Sequence, residues 1–187
     1  MKKIIGIDYS LNSPALCISE TNEIGIPIKD CTFHFLTAKK KYQGEVASGV
    51  YGHEYPKYYS DNIQRFDLIS EWVLSFIKSD TMVFIEGYSF GSKGQGLFQI
   101  AENCGILKHK LMLNKNSNYS TIVPSVVKKR ATKKGNANKE LMYEQFMKDG
   151  GEDLVSQLGM NKLSNPVTDI VDSYYIMRTG NEDWYCN

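Results

Sequence analysis

Lys3-Ile4-Ile5-Gly6-Ile7-Asp8-Tyr9-Ser10 is the stretch of sequence that decides the fold. Its isoleucines form a β-branched run of the kind that lies buried in the middle of a sheet. Asp8 follows the run directly, where a buried charge is costly unless it is paired or binds a cation. The stretch predicts a central strand that ends on a functional carboxylate, although an aspartate at a strand end can also simply cap the following turn.

The length of the chain favours one domain. A chain of 187 residues can build a substantial core but is too short for two comfortable domains, so we expect a single domain over residues 1–187. The four cysteines lie far apart without a C-x-x-C pair, and no apolar run reaches the roughly 20 residues of a membrane span. We therefore expect a reduced, cytoplasmic protein with no membrane partner and no small-molecule cofactor.

Patterning along the chain predicts an α/β fold. Three short strands joined by turns come first, and helices and strands alternate after them. The predicted strands are 3–8, 15–19, 32–36, 81–85 and 119–123. The predicted helices follow Asp61, cover 97–111, lie between Ser125 and Gly150, and run from Ser164 or Asn165 to just before Gly180. This order predicts a five-stranded mixed sheet, an antiparallel meander plus parallel strands, with helices on both faces.

Residues 38–60 lack clear periodicity and are predicted to form an inserted loop. The segment combines Lys39, Lys40 and Lys41 with five tyrosines. A basic and aromatic loop of this kind can contact nucleic acid through charge and stacking. The alternative is a solvated insertion that is packed by its own tyrosines.

Three further acidic residues occupy unusual positions. Glu86 ends the apolar strand 81–85, as Asp8 ends the first strand, and parallel neighbouring strands place their carboxyl ends at one edge of a sheet. Asp169 and Asp172 are three residues apart on the last helix and share a face. We therefore predict that four carboxylates converge, although the helix dipole alone would also favour an aspartate at the position of Asp169.

A cluster of carboxylates without nearby histidine or cysteine ligands suits Mg²⁺ or Mn²⁺. Two such ions about 4 Å apart activate a water and stabilise the leaving oxygen in phosphodiester hydrolysis. A group of cationic side chains follows within a short window of the sequence. It consists of Lys128, Lys129, Arg130, Lys133, Lys134 and Lys139. The four carboxylates and this group of basic residues, which we call the basic window, together predict a metal-dependent nuclease.

The sequence resembles the RuvC-type Holliday junction resolvases of the RNase H-like superfamily, in the divergent form found in phages. The matching stretches run from the first strand to the last helix, in the order of the family. They are Ile4-Ile5-Gly6-Ile7-Asp8, Val83-Phe84-Ile85-Glu86 with the Leu97–Leu111 helix, Pro124-Ser125-Val126-Val127-Lys128-Lys129, Asn136-Ala137-Asn138-Lys139, and Asp169-Ile170-Val171-Asp172.

The resemblance implies a homodimeric endonuclease that makes paired nicks in four-way DNA junctions. Asp8, Glu86, Asp169 and Asp172 then match the metal ligands of the family. Lys128, Lys129 and Lys139 match basic positions that face the DNA backbone, with Lys139 also near the scissile phosphate. Tyr88 or Phe90 matches the region of an aromatic residue that wedges into the junction, and a phage-encoded protein would act in the host cytoplasm.

Two departures from the family concern substrate detail. Tyr9-Ser10 follows the first aspartate where the family usually has Pro-Gly or Pro-Ser, and the 38–60 segment is longer than the usual connection. Other hypotheses remain at this stage: a related nuclease acting on flaps, forks or RNA–DNA hybrids, a non-catalytic junction-binding protein, and an actin-like ATPase. The ATPase hypothesis normally requires a second lobe with its own glycine-rich phosphate loop, which this sequence lacks.

Overall fold

A computed structural model describes residues 1–88, 95–114 and 117–186. Within these residues the chain forms a sheet of seven strands in the order β4-β5-β3-β2-β1-β6-β7. The strands are β1 (Lys2–Asp8), β2 (Ala15–Thr21), β3 (Thr32–Thr37), β4 (Gly44–Ala47), β5 (Val50–Glu54), β6 (Thr81–Glu86) and β7 (Ser117–Ile122). The first strand lies in the middle of the sheet, as its isoleucines predict.

Strand pairing confirms the mixed sheet. β1 pairs antiparallel with β2, and β2 pairs antiparallel with β3, which is the predicted meander. On its other side β1 runs parallel to β6, and β6 runs parallel to β7. The connections of these two parallel pairs each contain an α-helix, the usual way to join parallel strands.

The predicted strand count of five is wrong, because the 38–60 segment contains two strands rather than only loop. β5 runs parallel to β3, and β4 pairs antiparallel with β5 at the edge of the sheet. A short 3-10 helix, Lys40–Tyr42, precedes them. Strands of four and five residues that contain Gly44 and Gly52 carry little periodic pattern. Their pairing depends on contact with β3, which is not visible in the local sequence.

Helices cover both faces of the sheet. The described residues form α1 (Asn62–Leu74), α2 (Gln95–Leu113), α3 (Pro124–Thr132), α4 (Lys139–Lys148), α5 (Leu154–Gln157) and α6 (Val167–Cys186). Side chains on a strand alternate between faces. Ile5 and Ile7 of β1 pack with α1 and α2, whereas Ile4 packs with α3 to α6. The same alternation points Asp8 toward the face that α6 covers.

Two glycines allow α6 to lie close to the sheet. A Cβ atom on Gly6 would lie 2.3 Å from the Ser173 carbonyl oxygen, and one on Gly180 would lie 2.2 Å from the Phe84 ring. The prediction that Gly180 follows the end of the last helix is therefore wrong, since α6 continues to Cys186. Glycine at this position permits the close contact with β6, although glycine inside a helix is modestly less favourable than alanine.

Three of the four cysteines are buried in the fold. Cys17 and Cys104 are buried as small core residues, and Cys31 is buried as well. Among the described residues, no helix is both long and apolar enough to cross a membrane.

A cluster of aromatic and histidine side chains joins the added strands to α1. His34 Nδ1 on β3 lies 3.0 Å from His53 Nε2 on β5. The His34 ring stacks on Tyr51 and contacts Phe76 just beyond α1. Burial, with additional effects from His53 and Lys3, lowers the pKa of His34 to about 4, and burial also lowers that of His53. The folded state therefore favours neutral imidazoles here.

This cluster predicts a loss of stability in mild acid. An unfolded histidine binds a proton near pH 6.5, but folded His34 does not until about pH 4. The contribution of this cluster to the free energy of unfolding should therefore decrease as the pH falls from about 6.5 toward 4. In urea unfolding, the difference in free energy of unfolding between wild type and His34→Gln should change with pH in this way, whereas the difference between wild type and His109→Gln, on the exposed side of α2, should not. Equal slopes for wild type and His34→Gln between pH 7 and 5 would contradict this prediction.

Candidate active site

Asp8 and Glu86 lie side by side at the carboxyl ends of two paired strands. Ile7 of β1 is in register with Ile85 of β6, so the next residue of each strand is the carboxylate. The alternation that places Ile7 and Ile85 on the α1 and α2 face turns both acids toward α6. The predicted convergence of these two strand ends is therefore present in the structure.

Asp169 and Asp172 come from the first turns of α6, which packs against β1. Asp169 is only 4 % exposed, and three polar side chains surround it. Ser13 Oγ donates a hydrogen bond to the Asp169 carboxylate, and Asn165 Nδ2 donates to Ser13 Oγ at 2.9 Å. Thr168 Oγ1 donates to Asn165 Oδ1 at 2.7 Å. This network holds the Asp169 side chain in one orientation.

The four carboxylates influence one another strongly. Burial, followed by repulsion from the other three acids, raises the pKa of Asp8 well above its ordinary value. Burial raises the pKa of Glu86 to about 7, with Asp172 adding to the shift. It also raises the pKa of Asp169 and of Asp172 to about 6 each, and Asp169 adds to the shift of Asp172. Hydrogen bonding from Ser13, Thr168 and Asp8 and the charge of Lys139 act in the opposite direction on the pKa of Asp169. The cluster concentrates negative charge that a cation would offset.

Two lysines of the predicted basic window reach this cluster. Lys139, at the start of α4, places its Nζ 3.3 Å from Thr168 Oγ1 and 3.5 Å from Asn165 Oδ1. Its charge acts to lower the pKa of Asp8, Asp169 and Asp172. Lys128 on α3 acts in the same way on Glu86 and Asp172. The structure therefore gathers Lys128 and Lys139 with the carboxylates.

The remaining basic residues lie farther along α3 and do not act as a single group. Arg130 forms ion pairs with Glu182 at 3.4 Å and Asp183 at 2.7 Å, and it donates to the Thr179 carbonyl at 3.1 Å. It therefore holds α3 against α6. Lys129 and Lys133 line a cavity of about 640 Å³, and Lys133 and Lys134 are exposed.

Tyr88 lies beside the carboxylates, at the end of β6. Its side chain is 41 % exposed, and its ring centre is 4.9 Å from Lys108 Nζ on α2. It lines a cavity of about 380 Å³ that Asp8 and Glu86 also line, together with apolar side chains of α2. Phe90, the other predicted aromatic, lies outside the described residues.

The donor set fits a hard divalent cation. Carboxylate oxygens are the ligands that Mg²⁺ and Mn²⁺ prefer, and four such side chains repel one another here. In the described ranges, no three His, Cys, Asp or Glu side chains already form a metal-ligand cluster. The fit therefore rests on the chemistry and charge of the donors rather than on a preformed coordination geometry.

Sequence reasoning missed the residues that orient Asp169. The sequence pattern predicts only that a helix starts at Ser164 or Asn165, and it assigns no role to Ser13 or Thr168. Their role depends on contacts between positions more than 150 residues apart, such as the Asn165 bond to Ser13. One indication was present in the sequence, since a buried aspartate requires hydrogen-bond donors nearby.

Comparisons with known structures identify the fold. No protein-family model matches the sequence, and no curated protein does either. Thermus thermophilus RuvC aligns over 98 % of this chain and 96 % of its own, with 14 % identity and a TM-score of 0.56. T. thermophilus RuvC in complex with Holliday junction substrate aligns over 100 % and 97 %, with 12 % identity and a TM-score of 0.56. The yeast mitochondrial Holliday junction resolvase aligns over 98 % and 81 %, with 12 % identity and a TM-score of 0.57.

The chain therefore has an α/β fold of the RNase H-like type. Within that type, it has the fold of the RuvC-type Holliday junction resolvases, over nearly its whole described length.

Proposed function

We propose that the protein is a metal-dependent endonuclease that resolves four-way DNA junctions by paired nicking. The observation that carries the proposal is the gathering of Asp8, Glu86, Asp169 and Asp172 beside Lys128 and Lys139, at the edge of the sheet where strand ends form a ligand crevice. The likeness to resolvase folds adds to it. Branched DNA is the proposed substrate and partner.

Each residue of the site has a distinct role in this proposal. The four carboxylates would hold Mg²⁺ or Mn²⁺, and two bound ions would supply an activated water and stabilise the leaving oxygen. Ser13 and Asn165 fix the orientation of the Asp169 carboxylate. Lys139 lies close enough to the cluster to offset the charge of the scissile phosphate.

The DNA backbone would lie along the basic side of the site. Lys128, Lys129, Lys133 and Lys134 offer ammonium groups to phosphates, contacts that position DNA without reading its sequence. Arg130 contributes less, because its guanidinium is engaged by α6. Tyr88 is partly exposed beside the carboxylates, so its ring can stack on an unpaired base at the junction.

Paired nicking requires two active sites, and we propose that α2 forms the dimer interface. Leu107 and Leu111 pack into the core of their own chain. The opposite face exposes Phe98 by 69 % and Met112 by 64 %, with Gly105 between them. A small residue between two large apolar ones allows a second helix to approach closely. A second copy of this chain is the proposed occupant, and Phe98→Asp should shift the sedimenting species to monomer.

A substrate panel tests the proposed function. End-labelled four-way junction, three-way junction, flap, linear duplex and RNA–DNA hybrid are each incubated with the protein in Mg²⁺, in Mn²⁺ and in EDTA. We expect nicks at symmetric positions of the four-way junction with either metal and none in EDTA.

The other outcomes separate the alternative hypotheses. Faster cutting of flaps or hybrids would assign a related nuclease instead. Tight junction binding without nicking in either metal would indicate a non-catalytic binding protein. Hydrolysis of ATP in the absence of DNA would favour the ATPase hypothesis. Each of these results would overturn the proposal of a junction resolvase.

A further inference from the structure

Three lysines of the inserted segment form a compact basic surface. Lys39, Lys40 and Lys41 are all exposed on or beside the 3-10 helix, and we call Lys39–Tyr42 the lysine turn. Among the described residues, none of the three lysines forms an ion pair. The ring of Tyr42 lies buried beneath them, 5.8 Å from Lys39 Nζ and 4.5 Å from Lys41 Nζ. The turn thus presents three unneutralised charges.

The backbone of the lysine turn is fixed to the sheet. The Lys39 amide donates to Thr37 Oγ1 at 3.1 Å, and the Tyr42 amide donates to the Lys39 carbonyl at 2.9 Å. A Cβ atom on Gly52 would lie 1.7 Å from the Tyr42 carbonyl oxygen, so only glycine permits this approach to β5. The added strands β4 and β5 therefore hold the three lysines at a defined position rather than on a free loop.

A cavity of about 340 Å³ lies beside the lysine turn. Lys39 and Thr37 line it together with Ser13 and Asn165. Ser13 is hydrogen bonded to Asp169, so this cavity lies next to the carboxylate cluster. Ser13 and Asn165 already donate within that network, so the groups left to bind phosphate oxygens are the Thr37 hydroxyl and the Lys39 ammonium.

The carboxylates lie between two cavities of different character. The cavity beside Tyr88 is lined by Asp8, Glu86 and apolar side chains, whereas the cavity beside the lysine turn is lined by one lysine, Lys39, and by the polar side chains of Thr37 and Asn165 among apolar ones. Asn12 lines both, so the two cavities adjoin. A single nucleic-acid strand crossing the carboxylates would enter both. Lys128 and Lys139 would offset the charge of a phosphate bound at the carboxylates. The lysine turn would offset the charge of the next phosphate along the strand, in the cavity next to Asp169.

We infer that the lysine turn binds the backbone of the cleaved DNA strand immediately to one side of the scissile phosphate, with the adjoining cavity taking the neighbouring phosphate. This inference rests on the proposed function and assigns a role to the inserted segment. The sequence allows two interpretations of this segment, contact with nucleic acid and packing by its own tyrosines. We assign nucleic-acid contact to the three lysines, whereas Tyr42 packs in the interior.

The test compares two triple variants with the same change in net charge. The first is Lys39→Gln/Lys40→Gln/Lys41→Gln. The matched control is Lys2→Gln/Lys29→Gln/Lys78→Gln, which removes three exposed lysines at the opposite end of the sheet. Binding to a synthetic four-way DNA junction is measured by fluorescence anisotropy in Ca²⁺ across a range of salt concentrations. Ethylation interference then locates the contacted phosphates.

We expect the first variant to lower the slope of log K against log salt by about 2 to 3, close to one unit for each lost phosphate contact. Its affinity at about 0.1 M salt should fall roughly 10-fold or more, since each phosphate contact adds to binding. Cleavage at saturating DNA should change less than affinity does. Interference should disappear only at phosphates next to the cleavage position, and the control should match wild type.

The outcomes separate this inference from the proposed function. If wild type binds and cuts the junction while the first variant keeps the wild-type salt slope, the inference is wrong and the proposed function stands. Lost contacts distant from the cleavage position would also overturn it. If wild type neither binds nor cuts the junction, the proposed function fails and the inference fails with it.

Discussion

Asp8→Asn is expected to stabilise the metal-free protein while removing most of its response to metal. Asp8 is surrounded by three other carboxylates in a buried site, and burial with this repulsion raises its pKa. Asparagine has nearly the same shape and no charge, so the substitution relieves repulsion without opening a cavity. Functional sites often carry this kind of cost in stability.

The expected gain in stability of the metal-free Asp8→Asn variant depends on pH. A carboxyl group whose pKa is raised by folding destabilises the fold only where it must ionise, so the cost is absent near pH 4 and develops as pH rises. The pKa values of about 6 for Asp169 and Asp172 and about 7 for Glu86 place most of the change in the whole cluster between pH 5 and 8. At pH 8, Asp8→Asn should gain about 2 kcal/mol, or roughly 4 to 8 °C in melting temperature.

Thermal melts of both proteins in EDTA and in Mn²⁺ provide the measurement. Mn²⁺ should raise the melting temperature of wild type, because a ligand that binds only the folded state stabilises it. Mn²⁺ should raise the melting temperature of Asp8→Asn much less. Asp30→Asn, an exposed aspartate outside the site, is the matched control and should respond like wild type. A variant that is less stable than wild type in EDTA at pH 8 would contradict the account of the cluster.

Gly6→Ala is expected to be among the most destabilising single changes in the chain. The new Cβ would lie 2.3 Å from the Ser173 carbonyl oxygen and 2.4 Å from the Met177 amide nitrogen. Both are backbone atoms of α6, which cannot move aside as a flexible side chain would. Because overpacking of a well-packed interior costs 1–3 kcal/mol or more, we expect a loss of about 3 kcal/mol.

Gly96→Ala is the matched control for this change. Gly96 lies in the first turn of α2, before Phe98, and has no atom within 4 Å of an added Cβ, so alanine should leave the stability unchanged or raise it by up to about 1 kcal/mol through helix propensity. Urea unfolding of both variants gives the comparison. A Gly6→Ala protein as stable as wild type would show that α6 does not depend on this close approach, and with it that Asp169 and Asp172 are positioned by other contacts.

Local sequence was sufficient for the strands and helices that are rich in apolar residues. The isoleucines of β1 and the apolar run of β6 identify buried strands, and parallel pairing then places Asp8 beside Glu86 without further information. The three-residue spacing of Asp169 and Asp172 identifies their common face in the same way.

The rest depends on contacts between distant parts of the chain. β4 and β5 exist because β3 offers an edge to pair with, and their own residues give little indication of it. Glycine is typical of a helix end, but Gly180 lies inside α6, where it permits the close contact with Phe84. The network of Ser13, Asn165 and Asp169 joins the turn between β1 and β2 to the last helix, a contact that local patterning does not contain.

The most direct test of the central claim is the single-turnover rate of four-way junction cleavage in Mg²⁺, measured for wild type and for Asp8→Asn in the same assay. The four carboxylates act as one site in this account, so we predict Mg²⁺-dependent paired nicking by wild type and a rate at least about 100-fold lower for the variant, comparable to losing one transition-state-stabilising group. Junction binding by the variant should be retained. A variant that cuts the junction as fast as wild type would contradict the claim.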